Sequence, residues 1–151
     1  MPKILCTVPE ASTSKDQILK SEAAFKAIYA EHFGSAKGLT ILWILAPAGQ
    51  TFQAGQPADI FLAMIEVQDG LDQARREPAM WAFANSWAGI LGVDVERLMV
   101  TCADSSTVNE YMQGNRNRLR PISRPGFMLS TIAHIIKTRR RDGYAALRAN
   151  L

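Results

Sequence analysis

One hydrophobic pattern occurs twice in the first hundred residues, and this duplication constrains the fold more than any other feature. Each copy consists of an apolar run of strand length, an amphipathic segment of helix length and a second apolar run. A strand, a helix and a parallel strand in that order form a right-handed βαβ unit. The first copy comprises residues 3–8, 15–33 and 39–45, and the second comprises residues 59–67, about 77–91 and 97–102.

The duplication predicts an α/β (α+β) fold with one four-stranded sheet and two helices on one face. The predicted strands are apolar on both sides, so the face without helices also needs a cover. We expect other subunits to provide it. Pro78 interrupts the second helical segment, and we therefore expect its regular part to begin at about Glu77, after a loop or a kinked first turn.

The character of the chain changes after the second copy. A short amphipathic piece over residues 108–112 is followed by residues 113–125, which are rich in Asn, Arg and Pro. We interpret this stretch as an ordered loop or arm. A last helix is predicted over residues 128–147, where Gly143 is a candidate break.

The net charge of +3 is an average over two unlike parts of the chain. Residues 1–112 hold 8 basic and 13 acidic side chains, whereas residues 113–151 hold 9 basic and one acidic side chain. An asymmetry of this kind indicates two parts. We predict a domain of residues 1–121 and a C-terminal basic helical extension of residues 122–151.

The basic extension could contact nucleic acid or an acidic membrane surface. Such a helix more often packs its isoleucine-rich face on its own protein or on a neighbouring subunit, which is our expectation here. Only Phe127 and Tyr144 interleave its arginines with aromatic rings, so neither nucleic acid nor a membrane is an expected partner.

The cellular context is predicted from two observations. No apolar run approaches the roughly 20 residues that span a bilayer, and the N-terminus lacks the apolar stretch of a secretory signal. A cytoplasmic protein is therefore expected. Cys6 and Cys102 fit no zinc or disulfide spacing, and we predict two buried, reduced thiols.

Pro2 follows the initiator methionine directly, and its small side chain favours removal of Met1. Removal exposes a secondary amine that can act as a base or a nucleophile. An α-amino group titrates near ~7.7–8.0, and a prolyl nitrogen is more basic. An apolar pocket with cationic neighbours is therefore needed to keep it neutral at pH 7.

Several segments carry a family resemblance in the same order along the chain. They are Met1-Pro2 before a strand, residues 47–56 (PAGQTFQAGQ), residues 92–100 (GVDVERLMV) and residues 108–111 (VNEY). On these residues the chain resembles the tautomerase superfamily and, within it, is most similar to the cis-3-chloroacrylic acid dehalogenase group. The resemblance covers about residues 1–121. It implies a homotrimer whose three sheets surround a shared interior, Pro2 as the catalytic residue, and no metal or organic cofactor.

The resemblance also implies roles for two further residues. His32 matches a first-helix histidine that assists substrate binding in the dehalogenases. On its own it would be a half-buried histidine that the helix dipole stabilises at a helix C-terminus. Glu110 matches a carboxylate that activates water in the dehalogenases, and on its own it would be an exposed helix residue.

One departure from the family pattern concerns the substrate carboxylate. The dehalogenases bind it with two arginines just after the third major strand, where this chain has Gln68. An amide replaces only part of a charged, bidentate contact. Arg75 and Arg76 could swing towards the pocket, although solvated charges are the commoner role for such residues. Second candidates for carboxylate binding lie in the arm: Arg116, Arg118 and Arg120.

A tyrosine that orients water in the dehalogenases also has no counterpart in this chain. These losses argue against efficient hydrolytic dehalogenation. We therefore predict a cofactor-free tautomerase or isomerase that acts on a small keto, enol or unsaturated carboxylic acid. At most low-level hydratase or cis-3-chloroacrylate dehalogenase activity is expected. The alternative is a catalytically silent trimer of the same fold with a binding or assembly role.

Overall fold

The computed structural model describes residues 3–118 and 124–148, with a mixed α/β architecture as predicted. Five strands form the main sheet in the order β6-β5-β1-β2-β7, and β3 and β4 form a short hairpin. The element bounds are β1 Lys3–Pro9, α1 Lys15–Phe33, β2 Thr40–Ala46, β3 Phe52–Gln53, β4 Gln56–Pro57, β5 Phe61–Val67, α2 Gln73–Leu91, β6 Leu98–Asp104, α3 Ser105–Arg118, α4 Arg124–Asp142 and β7 Ala145–Arg148.

The two predicted βαβ units form and join along β1 and β5. Strand β1 pairs with β2 in parallel, and β5 pairs with β6 in parallel. Between the units, β1 and β5 are antiparallel, with Ile4 opposite Ile65. The duplication in the sequence is therefore a duplication in the fold.

The sheet has five strands rather than the predicted four. Strand β7 pairs in parallel with β2, so Ala146 lies opposite Trp43. Helix α4 lies along the outer edge of β7, where the Thr138 hydroxyl accepts from the Ala146 N–H at 3.1 Å. That bond uses one of the backbone groups that an edge strand leaves open. β7 was missed because its four residues, AALR, include no β-branched or aromatic side chain.

Helices α1 and α2 cover one face of the sheet. Their contact with it is an aromatic cluster in which the Phe25 ring centroid lies 5.2 Å from that of Phe83 and 5.4 Å from that of Trp87. Trp43 of β2 completes the cluster, 6.2 Å from Trp87. These side chains are fully buried. They account for much of the apolar area that stabilises the fold.

Helix α1 has the predicted bounds because its N-terminus carries a complete capping box. The Ser14 hydroxyl accepts from the Gln17 N–H, and the Gln17 side chain accepts from the Ser14 N–H. Helix α2 begins at Gln73, so the expected start at Glu77 was wrong. Asp72 caps it by accepting from the Ala74 N–H at 2.7 Å. The Asp72 cap stabilises the first turn of α2. Pro78 lies in the second turn and removes only one backbone hydrogen-bond donor from the helix.

The segment after β6 also differs from the prediction. Helix α3 extends to Arg118, so residues 113–118 are helical rather than an arm, and residues 119–123 lie outside the described residues. Helix α4 runs from Arg124 to Asp142 rather than over the predicted residues 128–147. Gly143, the candidate break, adopts a φ of +86° and ends the helix, and β7 follows it.

Two further predictions concern burial. Cys6 and Cys102 are buried free thiols, as predicted. The isoleucine-rich face of α4 packs only in part on its own chain, since Ile132 and Ile136 are 48% and 47% exposed. Among the described residues, no helix is both long and apolar enough to cross a membrane.

Candidate functional site

The topology brings three of the predicted site residues, His32, Gln68 and Arg75, to one end of the sheet, which we call the Lys3 end. Strand β1 begins there at Lys3, and β5 and β6 end there because β5 is antiparallel to β1. Helix α1 ends at the same place, before Thr40, which pairs with Lys3. Helices α2 and α3 begin at this end. Pro2 lies outside the described residues, but it directly precedes Lys3 in sequence.

A buried carboxylate, Glu66, is a central charged group at the Lys3 end. Glu66 is 4% exposed, and its Oε2 accepts from Lys3 Nζ at 3.0 Å. The Ser105 hydroxyl donates to Oε1 of the same carboxylate. A buried carboxylate is costly unless it is paired and hydrogen-bonded, and these two donors satisfy that need. The Lys3 side chain is 33% exposed, so its other N–H donors can reach solvent or a ligand.

Tyr29 ties helix α1 to this cluster. Its hydroxyl donates to the backbone carbonyl of Glu66 at 3.1 Å, and its ring packs edge-on against Phe33. Burial, followed by the nearby charges of Glu66 and Cys102, raises the pKa of Tyr29 above its ordinary value. The phenol is therefore a protonated donor at neutral pH.

The structure brings together two of the predicted substrate-binding residues, His32 and Arg75. His32 lies in the last turn of α1, and Arg75 lies in the first turn of α2. Arg75 Nη2 donates to the backbone carbonyl of His32 at 3.3 Å. The contact is exposed, so the guanidinium keeps donors that face solvent.

Arg76 has a different role from its neighbour. Its Nη2 forms an ion pair with Asp104, and its Nε donates to the Leu71 carbonyl at 2.6 Å. A third contact runs from Nη1 to the Cys102 carbonyl at 3.4 Å. With 15% of its side chain exposed, Arg76 clamps α2 to the end of β6 and cannot swing towards a substrate without losing three partners.

Gln68 follows β5 immediately and is exposed at the Lys3 end. The loop that carries it is held at two points. The Leu71 N–H donates to the Gln68 carbonyl, and Asp69 accepts from the Ser106 N–H at 2.9 Å. This second bond places the carboxylate of Asp69 at the N-terminus of α3, where a negative charge is stabilised.

Glu110 lies farther along α3 and is exposed. It lines a shallow cleft of about 390 Å³ together with Tyr111, Gly114 and Arg118. The described residues show no hydrogen bond between Glu110 and the Lys3–Glu66 pair. Arg116 is part of the same helix, but its side chain lies outside the described part of the chain.

Four residues of this end were not predicted: Lys3, Tyr29, Glu66 and Ser105. Lys3 and Glu66 are 63 positions apart, so no local spacing connects them. One signal was available, since Glu66 is a charged residue near the end of an apolar strand. A charge in such a position is rarely tolerated without a partner.

Two buried thiols, Cys6 and Cys102, are the described groups of this chain that metal or redox chemistry would use first. Burial raises the pKa of Cys102 to about 11, and the nearby Arg76 lowers it only in part. Burial, followed by the charge of Glu22, also raises the pKa of Cys6. Thiols with raised pKa values are poor nucleophiles and poor metal ligands. Among the described side chains, no group of three or more His, Cys, Asp or Glu residues is arranged to hold a metal ion.

No protein-family model matches this chain, and no curated protein matches it either. Solved structures do match. The native structure of Ps01740 superposes with a TM-score of 0.65 and 22% identity, over 68% of this chain and 93% of its own. N1, a member of the cis-3-chloroacrylic acid dehalogenase (cis-CaaD) family, has a TM-score of 0.64 and 11% identity, over 68% of this chain and 74% of its own.

A fused 4-OT, described as a wild-type asymmetric trimer, has a TM-score of 0.63 and 14% identity over 68% of this chain and 85% of its own. Together these matches confirm the predicted resemblance to the tautomerase superfamily, including its cis-CaaD group, as a likeness of fold. At such identities the chemistry must be argued from the residues of the site.

Proposed function

We propose that this chain is a cytoplasmic, cofactor-free enzyme of the tautomerase superfamily. In this proposal Pro2, once Met1 is removed, acts as general base on a small keto, enol or unsaturated carboxylic acid. The observation that carries the proposal is the ion pair of Lys3 with Glu66 at the sheet end where β5 and β6 finish. Because Lys3 follows Pro2 directly, a cation lies within one residue of the proposed base.

The proposed reaction moves one proton. With a keto acid, the Pro2 nitrogen accepts a proton from the carbon α to the carbonyl, and the electron pair of that C–H bond moves into an enolate. With an enol acid, it accepts the proton of the enol O–H instead, and the same enolate forms. The protonated nitrogen then returns a proton to another atom of the conjugated system. The Lys3 ammonium donates to the substrate carboxylate or to the developing enolate oxygen. Its charge, offset in part by Glu66, favours the neutral form of a neighbouring amine.

The other predicted residues have proposed roles around this centre. Gln68, His32 and Arg75 form a polar wall that contacts the part of the substrate away from the base. Glu110 and Arg116 are proposed to approach from α3 of the same or a neighbouring subunit. There Glu110 would activate water in a slow hydratase side reaction, and Arg116 would bind a carboxylate.

Self-association into a homotrimer is part of the proposal. The sheet face opposite α1 and α2 is apolar and only partly covered. Fused 4-OT structures that match this fold are described as trimers. Burial of this face between subunits would remove its apolar side chains from water. Those side chains include Leu5, Leu42, Ile44, Leu62 and Met64.

The test combines mass and rate. Intact-mass measurement should show loss of Met1, because retained Met1 leaves Pro2 as an amide without a basic nitrogen. Ketonisation of phenylenolpyruvate or 2-hydroxymuconate should then be faster with the wild-type protein than with Pro2→Ala. Retention of Met1, or equal rates for the two proteins, refutes Pro2 as the base. Circular dichroism of Pro2→Ala controls for folding.

One observation favours the silent alternative. Lys3, Arg75 and Arg76 each donate to acceptors of the chain itself, namely a carboxylate or backbone carbonyls. In this arrangement, none of these three described cations is committed to a substrate. The silent protein would bind 2-oxo acids weakly, with rates that do not depend on Pro2. A Pro2-dependent rate therefore decides against it.

A further inference from the structure

The two lateral ends of the main sheet carry surfaces that complement each other. Strand β6 forms one end, and β7 with α4 forms the other. An element that lies at the opposite end of the same sheet cannot reach across it within one chain. A contact between these two surfaces therefore requires two copies of the chain.

The first surface is an apolar stripe on α4, which we call the α4 stripe. It consists of Leu129, Ile132 and Ile136, with 69%, 48% and 47% of their surface exposed. Their spacing of i, i+3 and i+7 places them on one helix face. Thr138 faces β7, and Leu129 and Ile136 lie about half a turn away from it around the helix. The stripe therefore points away from its own sheet.

Two cations continue the α4 stripe towards the end of the helix. Arg139 and Arg140 are exposed, and neither forms an ion pair among the described residues. The next residue, Arg141, differs because it is paired with Asp142 at 2.7 Å. The stripe therefore combines apolar anchors with two charges that lack a counter-charge in the described chain.

The second surface is a groove of about 520 Å³ between α2 and β6, which we call the β6 groove. Strand β6 is an edge strand, with β5 on one side only. Trp81 stands at the groove with 55% of its surface exposed, which is unusual for so large an apolar side chain. The groove residues used below are Met80, Trp81, Leu98 and Val100, which are apolar, and Glu77 and Glu96, which are acidic.

We propose that the α4 stripe of one copy docks in the β6 groove of a neighbouring copy. Apolar anchors at i, i+3 and i+7 are the pattern by which a helix binds a hydrophobic groove. Arg139 and Arg140 would meet Glu77 and Glu96, which are exposed and make no ion pair in the described part of the chain. The two arginines and the two glutamates can therefore pair with each other between copies.

The contact is head-to-tail, because each copy offers its α4 end to the β6 end of the next. Such heterologous contacts produce a closed ring when the rotation between copies closes. The proposal rests on the self-association proposed above, and it assigns the C-terminal extension a place in that assembly. It would also cover the exposed edge of β6 and the exposed isoleucines of α4 in a single contact.

Trp81 provides a direct readout, since Trp43 and Trp87 are fully buried and should not respond. A dilution series of the full chain is followed by tryptophan emission and by mass photometry. Association should shift the emission to shorter wavelength as Trp81 leaves water. Ile136→Glu should weaken self-association by at least about tenfold, as should the pair Glu77→Arg and Glu96→Arg.

A charge swap separates specific docking from a general effect of charge. Arg139→Glu with Arg140→Glu should weaken association, and adding Glu77→Arg with Glu96→Arg in the same chain should restore most of it. Asp16→Arg with Glu31→Arg, at two exposed acidic positions of α1, changes the charge by the same amount as the groove pair and is the matched control. Circular dichroism confirms that each variant is folded.

Three results would overturn the proposal. They are variants that associate like the wild type, a charge swap that fails to restore association, and a Trp81 emission that does not change on dilution. Binding of the wild type to anionic phosphatidylglycerol vesicles, lost in Ile136→Glu while self-association persists, would assign the stripe to a membrane instead. The Pro2-dependent rate is measured separately, so a failed docking test leaves the proposed function standing.

Discussion

Replacing Lys3 by methionine removes the ammonium that faces Glu66 and leaves the buried carboxylate with the Ser105 hydroxyl as its remaining described partner. Methionine keeps much of the apolar stem of the lysine, so the change acts mainly through charge. Loss of one partner from a fully buried ion pair costs about 3–5 kcal/mol. Lys3 keeps 33% of its side-chain exposure, so solvent screens the pair, and we expect a loss of about 2 kcal/mol.

Replacing the other partner, Glu66, should lower the free energy of unfolding by less. Glu66→Gln keeps an acceptor for Ser105 and leaves the lysine, which is partly exposed, to be hydrated by solvent. We expect about 0.5–1 kcal/mol for this change. The double variant Lys3→Met with Glu66→Gln leaves no buried charge, so it should be more stable than Lys3→Met alone. This non-additivity is the signature of a direct interaction.

Urea unfolding at one protein concentration measures these differences, because self-association makes apparent stability depend on concentration. A loss of 2 kcal/mol corresponds to a decrease of about 4–8 °C in Tm for a chain of this size. Lys20→Met is the control, since the Lys20–Asp16 pair is exposed on α1. The reasoning is wrong if Lys3→Met costs no more than Lys20→Met, or if the double variant loses the sum of the two single changes.

Three further predictions concern the extension and the thiols. Thr138→Val should cost about 1–3 kcal/mol in urea unfolding, because it removes the hydroxyl that pairs with Ala146 at the edge of β7, whereas Thr138→Ser should cost much less. Gly143→Ala should cost about 1–2 kcal/mol because of its positive φ, while Gly126→Ala inside α4 should be neutral or stabilising; equal effects would contradict this. Since the pKa of Cys102 is raised to about 11, roughly one thiol in a thousand is ionised at pH 8, and mass spectrometry should show slow alkylation of Cys102 until urea is added.

Local sequence patterns were sufficient to predict the two βαβ units. Strand positions followed from apolar runs, and α1 was bounded correctly because its capping box and its terminal glycine are signals carried by neighbouring residues. The start of α2 was missed because the prediction rested on Pro78 and did not use Asp72, which caps the helix. Tertiary contacts of the first turn, including the clamp by Arg76, favour the longer helix.

The candidate site could be predicted only in part from local sequence patterns. The resemblance implied Pro2 and His32 as site residues, and Gln68 and Arg75 were candidates to replace two missing arginines. The topology brings His32, Gln68 and Arg75 to the Lys3 end. Glu110 was also predicted by resemblance, yet its cleft is formed by α3 alone. Lys3 and Glu66, which the sequence did not connect, are 63 positions apart. Their pairing depends on strand order and register, which hydrophobic periodicity does not encode.

By itself, the sequence determined that this chain forms a duplicated α/β fold with an acidic body and a basic extension, because periodicity and charge are properties of the chain. Only the tertiary structure decided that Lys3 pairs with Glu66, that β7 adds a fifth strand, and that Ile136 of α4 faces away from the sheet. Each of these depends on which elements become neighbours. That choice minimises buried charge and open strand edges over the whole molecule, and no short segment of the chain carries it.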